Sequence, residues 1–371
     1  MINIDRVTLT RAISHAAAVA PSKAPNAALV NVLLHVDMGR LTITATDLRQ
    51  ALVQVHEHVA DPSASWTFAT PAGTLSSILR SMTGDTVALS LANNGRRMVV
   101  ESAGARFNVV GTDGEDFPPV AVTAGAEAIS INGGDLGQMI GEVLFAVASG
   151  DGRTDLEGVH VETDTVDGAS VLRLVSTDGS RLSMSHAEYS GAAPALGAML
   201  IPRVGLADLR RLLTDSDWAV SFGDRKATFS TPGLTYIVTL VEGQFPDYRQ
   251  VLPDGHKLRV IVDRGSFAGA LKRVGIMAAD RNHSARFAFE ADRLVLTAQN
   301  VDAGDAREEV PADAEGKPVV TGFNMTYFAD ILSATSSDRV IIELGDELDP
   351  CIVRIPGRED CLFVVMPMRL D

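Results

Sequence analysis

A repeated order of one strand, one amphipathic helix and three further strands runs six times through this chain and constrains its fold more than any single motif does. Apolar residues alternate with period two in the predicted strands and recur at helical spacing between them. Two kinds of dipeptide recur at equivalent places. The first is Thr46-Asp47, Thr177-Asp178 and Gln299-Asn300, and the second is Phe117-Pro118, Phe245-Pro246 and Met366-Pro367. The pattern predicts an α+β protein of three domains, each made from two halves, over residues 1–124, 125–254 and 255–371.

Four of the six predicted helices have basic residues on or beside the side opposite their apolar side. The six helices span residues 9–19, 71–82, 135–148, 204–213, 266–278 and 324–334. Four of them carry or adjoin basic residues, which are Arg6, Arg11, Lys23, Arg80, Arg203, Arg210, Arg211, Lys272 and Arg273. A solvated face explains any one such helix. Its recurrence favours a continuous positive surface that attracts phosphates without reading a base sequence.

The composition describes a foldable chain with an acidic balance. The 371 residues favour two or three domains, and 46% of them are hydrophobic. Aromatic residues make up only 5%, so Val, Leu, Ile and Ala must fill most of the core. The net charge of -15 argues against indiscriminate coating of nucleic acid, but it leaves room for a local basic face.

Cysteine usage and hydropathy indicate a cytoplasmic protein. Cys351 and Cys361 are too few for a disulfide framework or a four-ligand metal site, although a cross-strand pair is an open alternative. The alanine-rich stretch at 16–20 is too short for a signal peptide. No apolar run reaches 18 residues, so we expect no membrane span.

Motifs of catalysis are weak throughout the sequence. There is no phosphate loop, no dinucleotide fingerprint and no nucleophile elbow. His56 and His58 would share one face of a strand, but a metal site needs a further ligand, and alternating strand polarity explains them more simply. Asp178 lies in a turn-forming Thr-Asp-Gly sequence, and His283 has no identifiable base partner. We therefore expect no enzyme activity, no metal and no cofactor.

The C-terminal sequence Phe363-Val-Val-Met-Pro-Met-Arg-Leu-Asp371 permits two interpretations. Pro367 should end a buried strand because it cannot donate to a ladder. Met368 and Leu370 stay apolar, although termini are usually polar and frayed. The segment is either a C-terminal strand docked into a core or an adaptable Met- and Pro-lined surface that binds other proteins.

Several stretches together resemble one family across the whole chain, the bacterial sliding clamp or β subunit of DNA polymerase III. They are Ser176-Thr-Asp-Gly-Ser-Arg-Leu182, Leu240-Val-Glu-Gly-Gln-Phe-Pro-Asp-Tyr-Arg249, Thr321-Gly-Phe-Asn324 and Val364-Val-Met-Pro-Met-Arg-Leu370. The resemblance implies a three-domain DNA clamp fold, with helices inside and sheets outside a dimeric ring that encircles duplex DNA. It implies a processivity factor that tethers the replicative polymerase, the clamp loader and repair proteins. A scaffold of the same fold that does not encircle DNA is the alternative.

The resemblance also implies three sets of functional residues. A peptide pocket between domains 2 and 3, for the polymerase α subunit, the clamp loader δ subunit and other proteins with a clamp-binding motif, would use Leu156, Thr177, Gly179, Ser180, Arg181, Leu182, Pro246, Gln250, Val251, Val364, Met366, Pro367 and Met368. Ser180 and Gln250 stand where better-studied members carry His and Arg. Contacts to double-stranded DNA, irrespective of its sequence, would use Lys23, Arg80, Arg153, Arg203, Arg210, Lys272 and Arg273. The homodimer interface would include Phe107, Ile276 and Met277, and the protein would associate with the nucleoid during replication.

Overall fold

The computed structural model describes residues 1–59, 62–92, 95–122, 128–150, 152–192, 199–223, 225–253, 255–278 and 283–369. The predicted domain boundaries at 124 and 254, and Leu370 of the terminal segment, lie outside these residues. The described helices are α1 (Arg6–Val19), α2 (Ala72–Ser81), α3 (Gly133–Val143), α4 (Arg203–Leu212), α5 (Arg264–Val274) and α6 (Met325–Ala334). None of them is both long and apolar enough to cross a bilayer.

The first strands, through the end of the third repeat, are β1 (Ile2–Asp5), β2 (Asn31–Asp37), β3 (Arg40–Thr46), β4 (Gln50–His56), β5 (Trp66–Pro71), β6 (Thr86–Leu91), β7 (Arg97–Ser102), β8 (Ala105–Val110), β9 (Ala128–Asn132), β10 (Gly158–Val166), β11 (Ala169–Thr177) and β12 (Arg181–Glu188). The remaining strands are β13 (Met199–Pro202), β14 (Asp217–Gly223), β15 (Lys226–Thr231), β16 (Leu234–Thr239), β17 (Leu258–Asp263), β18 (Ser284–Phe289), β19 (Arg293–Asn300), β20 (Gly304–Gly316), β21 (Val319–Asn324), β22 (Arg339–Leu344), β23 (Cys351–Arg354) and β24 (Cys361–Val365).

Contacts group the chain into two compact units. Unit 1 comprises residues 1–134, 190–194 and 204–240. It holds a four-stranded sheet in the order β1-β6-β7-β8 and an eight-stranded sheet in the order β5-β2-β3-β4-β16-β15-β14-β9, both antiparallel. Helices α1 and α2 pack on each other, and α1 also packs on β3 and β4.

The sequence determines helix α1 locally as well as through its packing. Asp5 caps its start, because the carboxylate accepts a hydrogen bond from the amide of Thr8 at 2.7 Å. Leu9, Ile13 and Ala16 follow at helical spacing and are completely buried. The remaining side of the helix, which includes Arg11, faces solvent.

Unit 2 comprises residues 135–189, 195–203 and 241–371. Its twelve-stranded antiparallel sheet has the order β13-β10-β11-β12-β24-β23-β22-β17-β20-β19-β18-β21. Its core concentrates phenylalanines: Phe328 lies edge-on to Phe267 and Phe323, with ring centroids 5.7 and 5.2 Å apart. The few aromatic residues of the chain thus contribute more to this core than the composition suggested.

Most predicted elements are present, with shifts of a few residues at their ends. The helix predicted over 135–148 ends at Val143 and continues as a 3-10 turn, Leu144–Ala146. The long strand β20 was not placed by the sequence, because its acidic residues and Pro311 read as a loop. Pro311 stands where β20 changes partners: residues 304–311 pair with β19 and residues 312–316 pair with β17.

Candidate functional site

A tight turn between β11 and β12 positions several of the predicted peptide-binding residues. The Thr177 hydroxyl donates to the carbonyl of Arg181 at 2.6 Å and accepts from the amide of Gly179 at 3.0 Å. The carboxylate of Asp178 accepts from the amides of Ser180 and Arg181 at 3.0 and 3.1 Å. Gly179 has a φ of 87°, a conformation that glycine adopts without steric cost. The Thr-Asp-Gly sequence therefore forms a hydrogen-bonded turn, as expected, and fixes where β12 begins.

Arg181 is held inside the site by partners on three segments. Its guanidinium donates to Asp178 at 2.9 Å, to Asp330 of α6 at 2.5 Å and to the carbonyl of Phe145 at 2.8 Å. It also lies 4.6 Å from the ring centroid of Tyr327. The side chain is only 12% exposed. Arg181 thus anchors the turn to the helix rather than extending toward a ligand.

An apolar floor lies beside this turn. Leu182 and Val364 face each other across the pairing of β12 with β24, and both are buried with Leu156 in one cluster. The other buried members of that cluster are Ala148, Val175, Leu200, Phe245, Tyr248, Ile352 and Leu362. Three of the predicted pocket residues thus belong to one buried apolar cluster. Aliphatic side chains of this kind suit the anchor residue of a bound peptide.

The C-terminal segment forms one side of the site. Strand β24 ends at Val365, directly before Met366, and its buried residues confirm the interpretation of a docked strand. The amide of Met366 donates to the carbonyl of Ser180 at 2.9 Å, and the amide of Met368 donates to Gly322 at 2.8 Å. The side chains of residues 366–368 nevertheless stay half-buried. The segment is docked through its backbone and leaves thioether surface at the rim, so the two interpretations are compatible.

The remaining predicted pocket residues lie on the segment that follows β16. Pro246 and Gln250 are exposed, and Val251 is 41% exposed. The carboxamide of Gln250 donates to Asp247 at 3.1 Å, within the same 3-10 turn, Tyr248–Val251. These residues contribute exposed side chains rather than a buried floor.

A carboxylate that the sequence did not single out holds this segment in place. Glu162 of β10 accepts from the Tyr248 hydroxyl at 2.6 Å, from Arg249 at 2.7 Å and from Arg173 at 2.9 Å. Burial alone would raise the pKa of Glu162, but hydrogen bonds, first from the His160 ring, hold that pKa well below its usual range. Burial, followed by the bond to Glu162, raises the pKa of Tyr248 to about 12. In the sequence, the adjacent donors Tyr248 and Arg249 were the one available signal that this segment has an acidic partner.

The predicted DNA-contact residues have different surroundings in the structure. Lys23, Arg203, Arg210 and Lys272 are exposed, and Arg80 reaches Ser14 at 3.2 Å. Two others are engaged within unit 2. Arg153 donates to the carbonyl of Asp178 at 2.7 Å, and Arg273 makes a two-point contact with Glu308. Their role toward DNA stays a prediction.

The predicted dimer residues lie at exposed positions. Phe107 is 36% exposed on the outer strand β8, and Ile276 is 70% exposed just after α5. Met277 differs, since it is partly buried and packs against the core of unit 2.

The histidines and cysteines form no site among the described residues. Strand β4 ends at His56, and His58 lies beyond it with a φ of 58°, so the expectation that the two share a strand face was wrong. No group of three or more potential ligands is close enough to hold a metal in this part of the chain. Cys351 pairs in register with Val365 rather than with Cys361, and both thiols are buried and free.

Comparison with known proteins places this geometry in a family. Models of the N-terminal, central and C-terminal domains of the DNA polymerase III beta subunit match residues 1–121, 130–247 and 249–369. The beta sliding clamp of Caulobacter vibrioides is 29% identical over 372 residues, which is 100% of each chain, and that of Pseudomonas aeruginosa is 32% identical over 371 residues, 99% of each chain. The crystal structure of the Pseudomonas aeruginosa sliding clamp bound to griselimycin superposes with a TM-score of 0.91 at 29% identity and covers 99% of each chain.

These matches define the class first: a three-domain clamp fold of antiparallel sheets and six described helices, as the resemblance had implied. The chain belongs to the DNA polymerase III beta subunit family, the beta sliding clamps. The resemblance seen in the sequence is confirmed, and with it the function of a DNA polymerase processivity factor in DNA replication. The eight- and twelve-stranded sheets each continue across a boundary between matched domains, which explains why contacts form two units rather than three.

We predict that Glu162→Gln destabilises the fold at pH 7 by about 2 kcal/mol, because a charged acceptor of several hydrogen bonds is lost. A carboxyl with a depressed folded-state pKa stabilises fully above its unfolded value of 4.5 and loses that contribution as the pH falls toward the folded-state pKa. The difference between wild type and variant should therefore narrow from pH 7 to pH 3. Urea unfolding at both pH values measures it. The exposed control Glu359→Gln should match wild type at both, and an E162Q deficit independent of pH would contradict the assignment.

Proposed function

We propose that this chain acts without catalysis, as a cytoplasmic homodimeric ring around duplex DNA, with helices inside and sheets outside, that presents the site in unit 2 to partner peptides. The three domains would span residues 1–124, 125–254 and 255–371. The observation that carries the proposal is the apolar floor of Leu156, Leu182 and Val364 beside a rigid turn and a half-buried Met-Pro-Met rim. Such a slot suits a short linear peptide of the polymerase α subunit, the clamp loader δ subunit or another clamp-binding protein.

The free sheet edges support a head-to-tail dimer. Strand β4 pairs with β16 and strand β12 with β24, so two of the three equivalent joints close within the chain. For the third, the described residues leave the outer edge of β8 and the edge of β20 at residues 304–311 without a strand partner. Pairing of β8 with β20 of a second copy satisfies both edges. The contact is heterologous, and such a contact forms a ring where the rotation between copies closes, here with two joints.

Side chains around these edges suit the same contact. Phe107 lies on β8, and helix α5 packs on β20. Arg273 of α5 and Glu308 of β20 bridge the two elements. Ile276, which follows α5, is thereby kept near the free half of β20. An exposed aromatic and an exposed aliphatic residue beside matching edges supply the apolar part of an interface.

The charge distribution fits a ring that slides. A chain of net charge -15 that keeps exposed cations on several helices, among them Arg203, Arg210 and Lys272, attracts phosphates only locally. Such contacts are sequence-independent and screened by salt. Topological enclosure does not require tight binding, so weak contacts hold the protein on DNA without stopping its motion.

We predict that retention on DNA depends on a closed circle. Protein loaded onto nicked circular DNA by a clamp loader and ATP should stay bound through gel filtration and dissociate when the circle is cut once. The cause is topological, since a ring leaves DNA only over a free end. A scaffold of the same fold that does not encircle DNA would show equal retention, or none, before and after cutting.

We predict that Leu182→Ala with Met366→Ala weakens a Leu- and Phe-bearing clamp-binding peptide at least tenfold, because both the floor and the rim lose apolar contact. Fluorescence polarisation of the labelled peptide measures the affinity, and light scattering checks that the dimer persists. Exposed apolar residues of unit 1 provide the control pair, Met38→Ala with Val7→Ala, which should bind as wild type does. Unchanged affinity in the first variant would refute the pocket.

We predict that Phe107→Asp with Ile276→Asp converts a two-chain particle into single chains, because desolvating the new carboxylates opposes the interface. Light scattering over a range of low protein concentrations reads the mass directly. The control Met38→Asp with Leu348→Asp adds the same charge at exposed apolar positions and should leave the dimer intact. A wild-type mass of one chain would overturn the proposed ring.

A further inference from the structure

The turn that carries the peptide site in unit 2 occurs a second time in unit 1, at residues 46–50. In both turns a threonine hydroxyl donates to the carbonyl four residues later, at 2.7 Å in unit 1 and 2.6 Å in unit 2, and accepts from the amide two residues later at 3.0 Å. In both, an aspartate accepts from two amides, at 2.8 and 2.7 Å in unit 1. The two turns are equivalent bond for bond.

The strands beyond the two turns pair in the same register. The residue after each turn faces an aliphatic residue of the neighbouring strand, β16 in unit 1 and β24 in unit 2. Two residues beyond that aliphatic residue, a backbone amide donates to the turn. The cross-strand pairs are Ala51 with Ile237 and Leu182 with Val364, and the amide contacts are Thr239 to Arg49 at 2.7 Å and Met366 to Ser180 at 2.9 Å. Thr239 and Ile237 thus occupy the places that Met366 and Val364 occupy in unit 2.

The anchoring of the two turns to a helix is also equivalent. Gln50 donates to Asp208 of α4 at 3.0 Å, where Arg181 donates to Asp330 of α6. Asp208 and Asp330 are each the sixth residue of their helix. The Tyr236 hydroxyl, which donates to Gln50, adds a further bond in unit 1. The internal repeat has therefore kept the framework of the peptide site and changed its side chains.

A cavity of about 100 Å³ opens at this second turn. Leu48, Pro118, Pro119 and Ile237 supply apolar walls. An engineered cavity of roughly 150 Å³ holds benzene, so this one fits a single aliphatic side chain rather than a whole small molecule. Leu48 is 64% exposed at a φ of 75°, where unit 2 has Gly179. A leucine costs stability in that conformation, and such strain concentrates at functional positions.

The charged side chains that line this cavity have one sign, although the carboxylate of Asp47 lies in the same turn. Arg49 and Lys226 are exposed and line it, and the described lining includes no acidic side chain. In a chain of net charge -15, two cations beside an apolar cavity form a local exception. They complement carboxylates that flank an inserted aliphatic side chain.

We propose that the cavity at residues 46–51 of unit 1 is a second docking site, for an extended acidic peptide that inserts one aliphatic side chain between Leu48 and Ile237 and pairs its carboxylates with Arg49 and Lys226. The site lies wholly within unit 1. It goes beyond the proposed function, because it needs neither the peptide pocket of unit 2 nor the DNA ring.

The test is fluorescence polarisation of the full chain with a fluorescein-labelled hexapeptide of four acidic residues around a central leucine and valine. Arg49→Glu with Lys226→Glu should weaken binding at least tenfold. The control Arg40→Glu with Arg97→Glu makes the same charge change at exposed positions of unit 1 and should stay within twofold of wild type. A second probe, with glycine in place of both aliphatic residues, should bind at least tenfold more weakly.

Three outcomes would overturn this second site. They are wild-type affinity in the R49E/K226E protein, equal affinity for the glycine probe, and loss of binding in the Leu182→Ala/Met366→Ala protein, which would place the acidic probe in the pocket of unit 2. The last variant separates the two hypotheses, because it alters only the pocket of the proposed function. Circular dichroism checks that each variant is folded.

Discussion

The antiparallel pairing of β12 with β24 is the interaction on which the candidate site depends. It places Leu182 opposite Val364, and so brings residues far apart in sequence into one apolar floor. The same pairing directs Met366 onto the turn at Ser180 through a backbone bond of 2.9 Å. Because the contact uses main-chain groups, the rim side chains are free to pack against a ligand. A chain terminus would otherwise fray.

The charged groups of the site serve mainly to hold its parts together. Arg181 donates hydrogen bonds to Asp178, Asp330 and a backbone carbonyl. Glu162 accepts three hydrogen bonds, two of them from the segment at 248–251. Partly buried ions of this kind are costly to leave unpaired, so they fix geometry more than they add affinity. Recognition is left to aliphatic and thioether surface, whose apolar burial is non-directional. In the proposed peptide site, that division would allow one pocket to accept several peptides.

Sequence patterns predicted the repeated elements well, because the local causes are visible in the residues. The helical spacing of Leu9 and Ile13 and the strand stop at Pro367 need no tertiary information, whereas the Asp5 cap was not predicted, so α1 begins at Arg6 rather than at the expected residue 9. Strand β20 was not predicted, because pairing with β19 and β17, rather than its composition, makes it a strand. Residues 304–316 are mostly exposed and include five acidic side chains, and the pairing with β19 and β17 orders them into a strand.

At the candidate site, too, the sequence predicted local turns but not contacts between distant segments. Turn residues such as Thr177 and Gly179 could be placed from sequence, since their hydrogen bonds are local. Glu162 could not, because Tyr248 and Arg249 lie 86 and 87 residues away along the chain and meet it only through the fold. Arg153 is a related case: the family resemblance implied a DNA contact, and only the structure shows that its guanidinium also donates to the carbonyl of Asp178.

The internal repeat explains how one framework can serve different ligands. Hydrogen bonds made by backbone, threonine and aspartate are the same at 46–50 and 177–181, so the turn persists whatever its other side chains are. At the anchoring position, a neutral Gln50 in unit 1 replaces the Arg181 of unit 2, and its neighbour Arg49 is exposed. Moving the cation one residue along the turn takes it from the interior to the surface. A structural ion thereby becomes a charge that a ligand can reach, while the surrounding fold stays the same.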